Sequence, residues 1–187
     1  SFMMGSNVIS YGQPIHQVNV PSFLMMKTEI TVGMYRGCVD AGVCSVPADP
    51  NGLGHMNWSN TAGNKEDHPV NNISWYQIME FASWTGARLP TESEWEYAAR
   101  ANQDFEYAGS NNVDEVAWYS NNSGDETHPV GQKKPNGFGL YDMSGNVWEW
   151  VWDWYGEYHR GLYTDPLGSP SGSRRVLRGG YWYDIME

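Results

Sequence analysis

Residues 135–155 read PNGFGLYDMSGNVWEWVWDWY, and the reading of this stretch decides the fold. It opens on turn chemistry, Pro135-Asn136-Gly137 followed by Gly139. It closes on Trp148, Trp150, Trp152 and Trp154, one indole at every second position. Side chains of a strand alternate faces, so this spacing predicts a strand with all four indoles on one face. Val147, Glu149, Val151 and Asp153 then share the other face. Burial of four indoles is a large apolar gain, so the aromatic face is expected to point inward. The acidic residues opposite have two readings. They form a solvated outer face, or Asp142 and Glu149, with the carbonyls between them, form an oxygen cage for a hard cation such as calcium.

The rest of the chain fits a globule built around this stretch. Its 187 residues suit one domain with a proper core. The 11 Lys and Arg against 22 Asp and Glu leave a net charge of −11. That balance argues against a nucleic-acid footprint, which is basic, and against an anionic membrane surface. It is compatible with binding a cation. Ten Trp and 12 Tyr beside 21 Gly and 10 Pro describe a loop-rich fold held by aromatic packing. Disordered chains are poor in aromatics. No apolar run approaches the length of a membrane span, so no transmembrane segment is expected, and no basic-then-apolar leader is visible at Ser1.

Cys38 and Cys44 stand six apart in CVDAGVC. The Asp40-Ala41-Gly42 turn allows them to pair, which would imply an oxidising compartment. Two free, buried thiols are the other reading. With no nearby His they lack the ligands of a zinc site.

Local signals place three helices. Thr31 caps a short helix over Val32 to Val39, with Val32, Tyr35 and Val39 near helical spacing. Ser74 caps a second, with Gln77 at the capping-box position and Gly86 at the stop. Thr91 caps a third, again with a capping-box residue, Glu94, and a buried stripe of Trp95, Ala98 and Ala99. Glu94 and Glu96 read as cap and solvent-facing residues, not as an acid–base pair. Val18 and Val20 alternate as in a strand. Ala48 to Asp67 reads as an ordered loop.

Three motifs then follow one another: RLPTESEWEYAAR (Arg88 to Arg100), GFGLYDMSGNVWEW (Gly137 to Trp150) and RVLRGGYW (Arg175 to Trp182). Together they resemble the formylglycine-generating-enzyme, or sulfatase-modifying-factor, domain family, over nearly the whole chain. The resemblance implies an α+β, C-type-lectin-like fold with few helices, small antiparallel sheets and much ordered loop, as a single domain over residues 1–187. The resemblance implies a further segment past Arg-Gly-Gly, which either lies beyond Glu187 or is absent.

The resemblance also implies a structural calcium ion. Its ligands would be the Asp142 side chain, the backbone carbonyls of Gly145 and Val147, and the Glu149 carboxylate. A second family calcium site falls near Asn121, Asn122 and Asp125, but the loop differs and no ligands are assigned there.

The family's enzymes that oxidise a sulfatase cysteine use two cysteines and copper just after Arg-Gly-Gly. Here the first of those positions is Asp184, so no catalytic residue is assigned; without a thiolate there is no soft copper ligand. His16, His55, His68, His128 and His159 show no spacing of an iron-ligand face.

The remaining branches use the fold as a non-catalytic scaffold. Among them are variable proteins diversified by retroelements, in which asparagine codons are rewritten at adenines. Tyr, Asp and Ile each lie one adenine change from an asparagine codon, and Tyr181, Tyr183, Asp184 and Ile185 cluster after Arg-Gly-Gly. Tyrosine is also a rigid, amphipathic recognition residue, although ordinary strand residues would give the same run. The leading expectation is a ligand-binding module whose site is Tyr181, Tyr183, Asp184, Ile185, Trp118 and Tyr119, with a protein or other surface ligand as partner, outside the cytoplasm. Two alternatives stand beside it: an oxidoreductase of the formylglycine-generating kind acting on a protein cysteine, and an accessory lipoprotein domain.

Overall fold

Helix caps set the frame of the computed structural model, which describes residues 1–47, 56–58 and 65–184. Helix α1 runs Val32–Asp40, and the Thr31 hydroxyl accepts the Met34 N–H. Helix α2, Trp75–Thr85, starts on the reciprocal Ser74/Gln77 capping box and ends on Gly86 in the left-handed conformation. Helix α3, Glu92–Arg100, starts on the matching Thr91/Glu94 box. A single turn, α4, spans Val113–Val116. These caps satisfy N–H groups that a helix cannot bond internally, which is why short sequence signals place them well.

The strands form two small sheets. Strand β1 (Phe2–Met4) pairs antiparallel with β2 (His16–Asn19), and β2 pairs parallel with β4 (Leu162–Thr164). Strand β3 (Glu149–Trp154) pairs antiparallel with β5 (Arg175–Arg178), with a register shift between Trp150 and Trp154. None of the described helices is long and apolar enough to cross a membrane.

Two apolar clusters make the core. One joins α1 and α2 through Tyr35, Cys38, Ile78 and Phe81. Cys38 and Cys44 are joined by a disulfide inside it. The other packs Trp95, Ala98 and Ala99 of α3 against Met143, Val151 and Val176.

Here the facing expected for β3 is reversed. The alternation holds, but Val151 is fully buried and Asp153 is 3% exposed, while Trp148 and Trp152 are 44% and 37% exposed. Valines fit against the small Ala98/Ala99 stripe of α3. The indoles lie on the half-covered side, where Arg175 stacks 3.8 Å from the Trp75 ring centre and 3.6 Å from that of Trp154. There Trp150 Nε1 donates to the Ile73 carbonyl and Trp75 Nε1 to the Val151 carbonyl, both at 2.9 Å. A half-buried position serves a side chain that is apolar at one end and a donor at the other.

The inner acids are tolerated because each has a donor. Asp153 accepts the Glu92 N–H at 2.7 Å, at the start of α3. Glu96 likewise does not face solvent. It is buried, accepts the Gly5 N–H at 2.9 Å, and pairs with Arg100 at 2.8 Å and Arg178 at 2.7 Å. Glu94 is fully buried and forms a two-pronged pair with Arg88 at 2.6 Å.

Candidate functional site

Residues 142–149 form a turn that only particular residues could occupy. Asp142, Gly145 and Asn146 have φ of 58°, 83° and 60°. A Cβ at Gly145 would collide with the Trp118 carbonyl, so glycine is required there. Asn146, fully buried, ties the turn down: its N–H donates to the Trp118 carbonyl at 2.9 Å and its Oδ1 accepts the His128 N–H at 3.0 Å.

Two of the four calcium ligands expected from the family are carboxylates. Asp142 is buried and accepts the Gly131 N–H at Oδ2, 2.7 Å away. Glu149 accepts Trp95 Nε1 at Oε2, 3.0 Å away. Each therefore keeps a second oxygen that accepts no hydrogen bond among the described residues.

A third acid, Glu29, gave no sequence signal as part of this site. It is buried, taking Asn146 Nδ2 at 2.7 Å and the Val147 N–H at 3.1 Å. Desolvation pushes all three carboxyls up, Glu149 to about 7. The charges of Asp142 and Glu149 raise Glu29 further, and that of Asp142 raises Glu149.

Whether these residues suit a cation is decided at Gly179. Its φ is +94°, and a Cβ there would sit 3.7 Å from both Glu149 Oε1 and the Val147 carbonyl. The Gly145 N–H donates to the Gly179 carbonyl at 2.8 Å, so the Arg-Gly-Gly segment closes over the turn. The carbonyls of Gly145 and Val147 accept no hydrogen bond among the described residues. Carboxylate oxygens and backbone carbonyls are the donor types that a hard cation takes. Among the described residues no three His, Cys, Asp or Glu side chains form a metal-holding group.

The residues assigned to ligand binding divide. Tyr183 is 57% exposed, and Tyr181 and Asp184 are half-exposed. The Tyr181 ring lies 6.4 Å from Tyr183 and 6.2 Å from Trp148, giving an aromatic strip. Asp184 accepts the Tyr181 N–H at Oδ2, and its carbonyl accepts the Ser120 N–H. Burial raises its carboxyl. Ile185 lies outside the described residues.

Tyr119 does not contribute its ring to the strip; it is buried, and its hydroxyl donates to Asp114 at 3.1 Å. Trp118 is half-buried, its ring stacked 3.7 Å from that of His128 and with Lys133 Nζ 3.9 Å from its centre. Trp148 belongs to the strip but was assigned to the inner face of β3 by periodicity alone. A groove of about 1310 Å³ includes the strip residues Trp148, Tyr181 and Tyr183 in its lining, together with Phe23, Met25 and Met26.

Fold, turn and C-terminal motif together define a C-type-lectin-like domain of the formylglycine-generating type. The chain belongs to the family of sulfatase-modifying factor enzyme 1-like domains, which matches residues 1–187. Chaperone protein LppX of Paenibacillus barcinonensis is 33% identical over 181 residues, covering 65% of this chain and 61% of its own. The formylglycine-generating enzyme of Bos taurus is 37% identical over 147 residues, covering 66% and 39%. The chain thus spans less than two thirds of the length of either relative. Among solved structures, Treponema denticola variable protein 1 superposes with a TM-score of 0.82 at 30% identity, covering 98% of this chain and 81% of its own. The α+β, loop-rich fold expected from the motifs is the fold of this chain.

Proposed function

We propose that this chain is a non-catalytic ligand-binding module on a calcium-stabilised scaffold, of the retroelement-diversified variable kind. The observation that carries the reading is the aromatic strip formed by Tyr183, exposed, and Tyr181, half-exposed, directly after the Arg-Gly-Gly segment, with Trp148 6.2 Å from the Tyr181 ring. Rigid amphipathic rings on a fixed backbone are good recognition surfaces. The likeness to a protein named as a variable protein supports the same branch.

The oxidoreductase alternative has less support in these residues. Asp184 stands where that chemistry uses its first cysteine, and both cysteines present are bonded to each other in the α1 region. The ligand is a protein or other surface molecule met outside the cytoplasm; the disulfide supports that setting. The LppX likeness favours a second reading, an accessory domain that uses the scaffold for assembly.

A photo-crosslinking residue at position 183, with one at exposed Leu162 as control, tests the proposal in the native surroundings of the protein. A partner captured at 183, absent at 162 and lost on Tyr181→Ala, supports it. Capture from 162 alone would favour the accessory reading. Formation of an aldehyde on a cysteine-containing sulfatase peptide in the presence of copper would overturn both. Separately, the coding DNA should have a nearby near-identical copy that differs only at adenines; a copy differing at random bases would remove the retroelement part.

A further inference from the structure

A second aromatic surface lies on the half-covered side of β3. Trp75, at the start of α2, meets Trp152 with ring centres 5.6 Å apart, and Tyr76 stands edge-on to Trp75 at 5.5 Å. Tyr76 is 72% exposed. None of these rings lines the groove that includes the strip. Arg175 of β5 lies among them, its guanidinium carbon 3.8 Å from the Trp75 ring centre, 3.6 Å from that of Trp154 and 5.7 Å from that of Trp152. Nη1 donates to the Trp152 carbonyl. Nε and Nη2 donate to no group among the described residues, and neither is sealed from solvent. Four other arginines, Arg36, Arg88, Arg100 and Arg178, each pair with a glutamate. Arg160 and Arg174 are exposed. Arg175 alone is half-buried with no carboxylate in ion-pair reach among the described residues, in a chain with 22 acids against 11 bases.

We infer that Arg175, with Tyr76 and Trp152 beside it, is a binding site for a small monocarboxylate whose body is a flat, apolar ring. The Nε–Nη2 edge of a guanidinium presents two parallel donors, which match the two oxygens of a carboxylate. Stacking on the indoles already fixes the plane of the fork, so little freedom is lost when it binds. The surroundings select the body. Trp75 Nε1 and Trp150 Nε1 are spent on backbone carbonyls, and Leu177, the next outward residue of β5, is exposed. Such a surface receives an aromatic ring and has few partners for a body rich in hydroxyls. The net charge of −11 selects a single carboxylate, because one guanidinium balances one charge while the whole chain repels a polyanion. The site is independent of the strip and of any cation.

Titration of the whole chain with benzoate, followed by nuclear magnetic resonance, tests the site. The Arg175 Nε–H and the Trp152 and Trp154 indole N–H signals should shift together and saturate, half-way at about 1 mM, as one ion pair and one ring contact give. The Arg174 Nε–H signal should stay in place. Benzamide has the ring without the charge and acetate the charge without the ring; each should bind about fivefold more weakly. Glucuronate, which puts the carboxylate on a hydroxylated ring, should also bind about fivefold more weakly than benzoate. Arg175→Lys keeps the charge and loses the fork, at a cost of about fivefold in affinity. Should that variant fail to fold, Tyr76→Ala, at an exposed position, decides in its place with a loss of about threefold. Equal affinity for benzoate and for benzamide, acetate or glucuronate overturns the inference. So do shifts at Arg174 that track those at Arg175, unchanged affinity in folded Arg175→Lys or in Tyr76→Ala, and no saturation by about 10 mM benzoate.

Discussion

The turn at residues 142–149 and the segment at 181–184 are neighbours built on opposite terms. In the turn, Asp142 and Asn146 are buried and hydrogen-bonded through their side chains, Asp142 Oδ2 to Gly131 and Asn146 to Glu29 and His128, with the Asn146 N–H on Trp118. In the segment, the backbone is equally committed, through Trp182 to Asn146 and through Asp184 to Ser120, but the Tyr181 and Tyr183 rings are not. A recognition surface can tolerate change in its side chains only if its backbone is held by groups that do not change. On the proposed function the turn would serve stability and the segment specificity, and each half can be broken separately.

The largest effect should come from Asn146→Ala. It leaves Glu29 Oε2 and the His128 N–H without their Asn146 partner, at a cost of about 3–4 kcal/mol in chemical denaturation. A loss under about 1 kcal/mol would mean that the turn is not the staple described.

Next is Asp153, with a pH-dependent effect on the inner face of β3. Burial is the main cause that pushes its carboxyl up to about 6, above the usual 3.8, so the folded chain binds this proton more tightly than the unfolded chain. Its contribution is then greatest below about pH 4 and is lost as pH rises through about 6. Asp153→Asn should remove about 3 kcal/mol of that decline. An unchanged stability–pH profile would show that the start of α3 already balances the charge.

Cys44→Ser, which opens the short loop from Cys38, gives a smaller effect. The entropy released to the unfolded chain corresponds to about 2 kcal/mol, read as a lower denaturation midpoint. The drop should match that of the wild type under a reductant.

The smallest effect on stability belongs to Tyr183→Ala, within about 0.5 kcal/mol, because its ring is exposed. It should nonetheless abolish crosslinking from a probe placed at Trp148. Large destabilisation would place Tyr183 with the turn and collapse the distinction.

How much of this was legible depends on distance along the chain. Thr31, Ser74 with Gln77, Thr91 with Glu94, and Gly86 mark helix ends within four residues, and the three helices stand where those marks fall. Alternation in β3 was legible for the same reason. Which face turned inward was not, because period 2 separates two faces without naming the partner of either. The alanine stripe of α3 and the guanidinium of Arg175 decide it, and both are remote in sequence. Glu29 reaches Asn146 across 117 residues, and Glu96 reaches Arg178 across 82, so neither had a local signal. Tyr119 misled because aromatic character does not reveal that its hydroxyl is bound to Asp114. The Asp142 to Glu149 donor set came from the family motif; Gly179 packs against Glu149 Oε1 and the Val147 carbonyl of that turn, 3.7 Å from where its Cβ would be.

Thermal unfolding of the wild type in excess calcium and in excess chelator tests the central claim most directly, with Glu149→Gln measured alongside. The account predicts a melting temperature about 5 °C or more higher with calcium. In Glu149→Gln most of that difference should vanish. Identical melting curves with calcium and chelator in the wild type would contradict it.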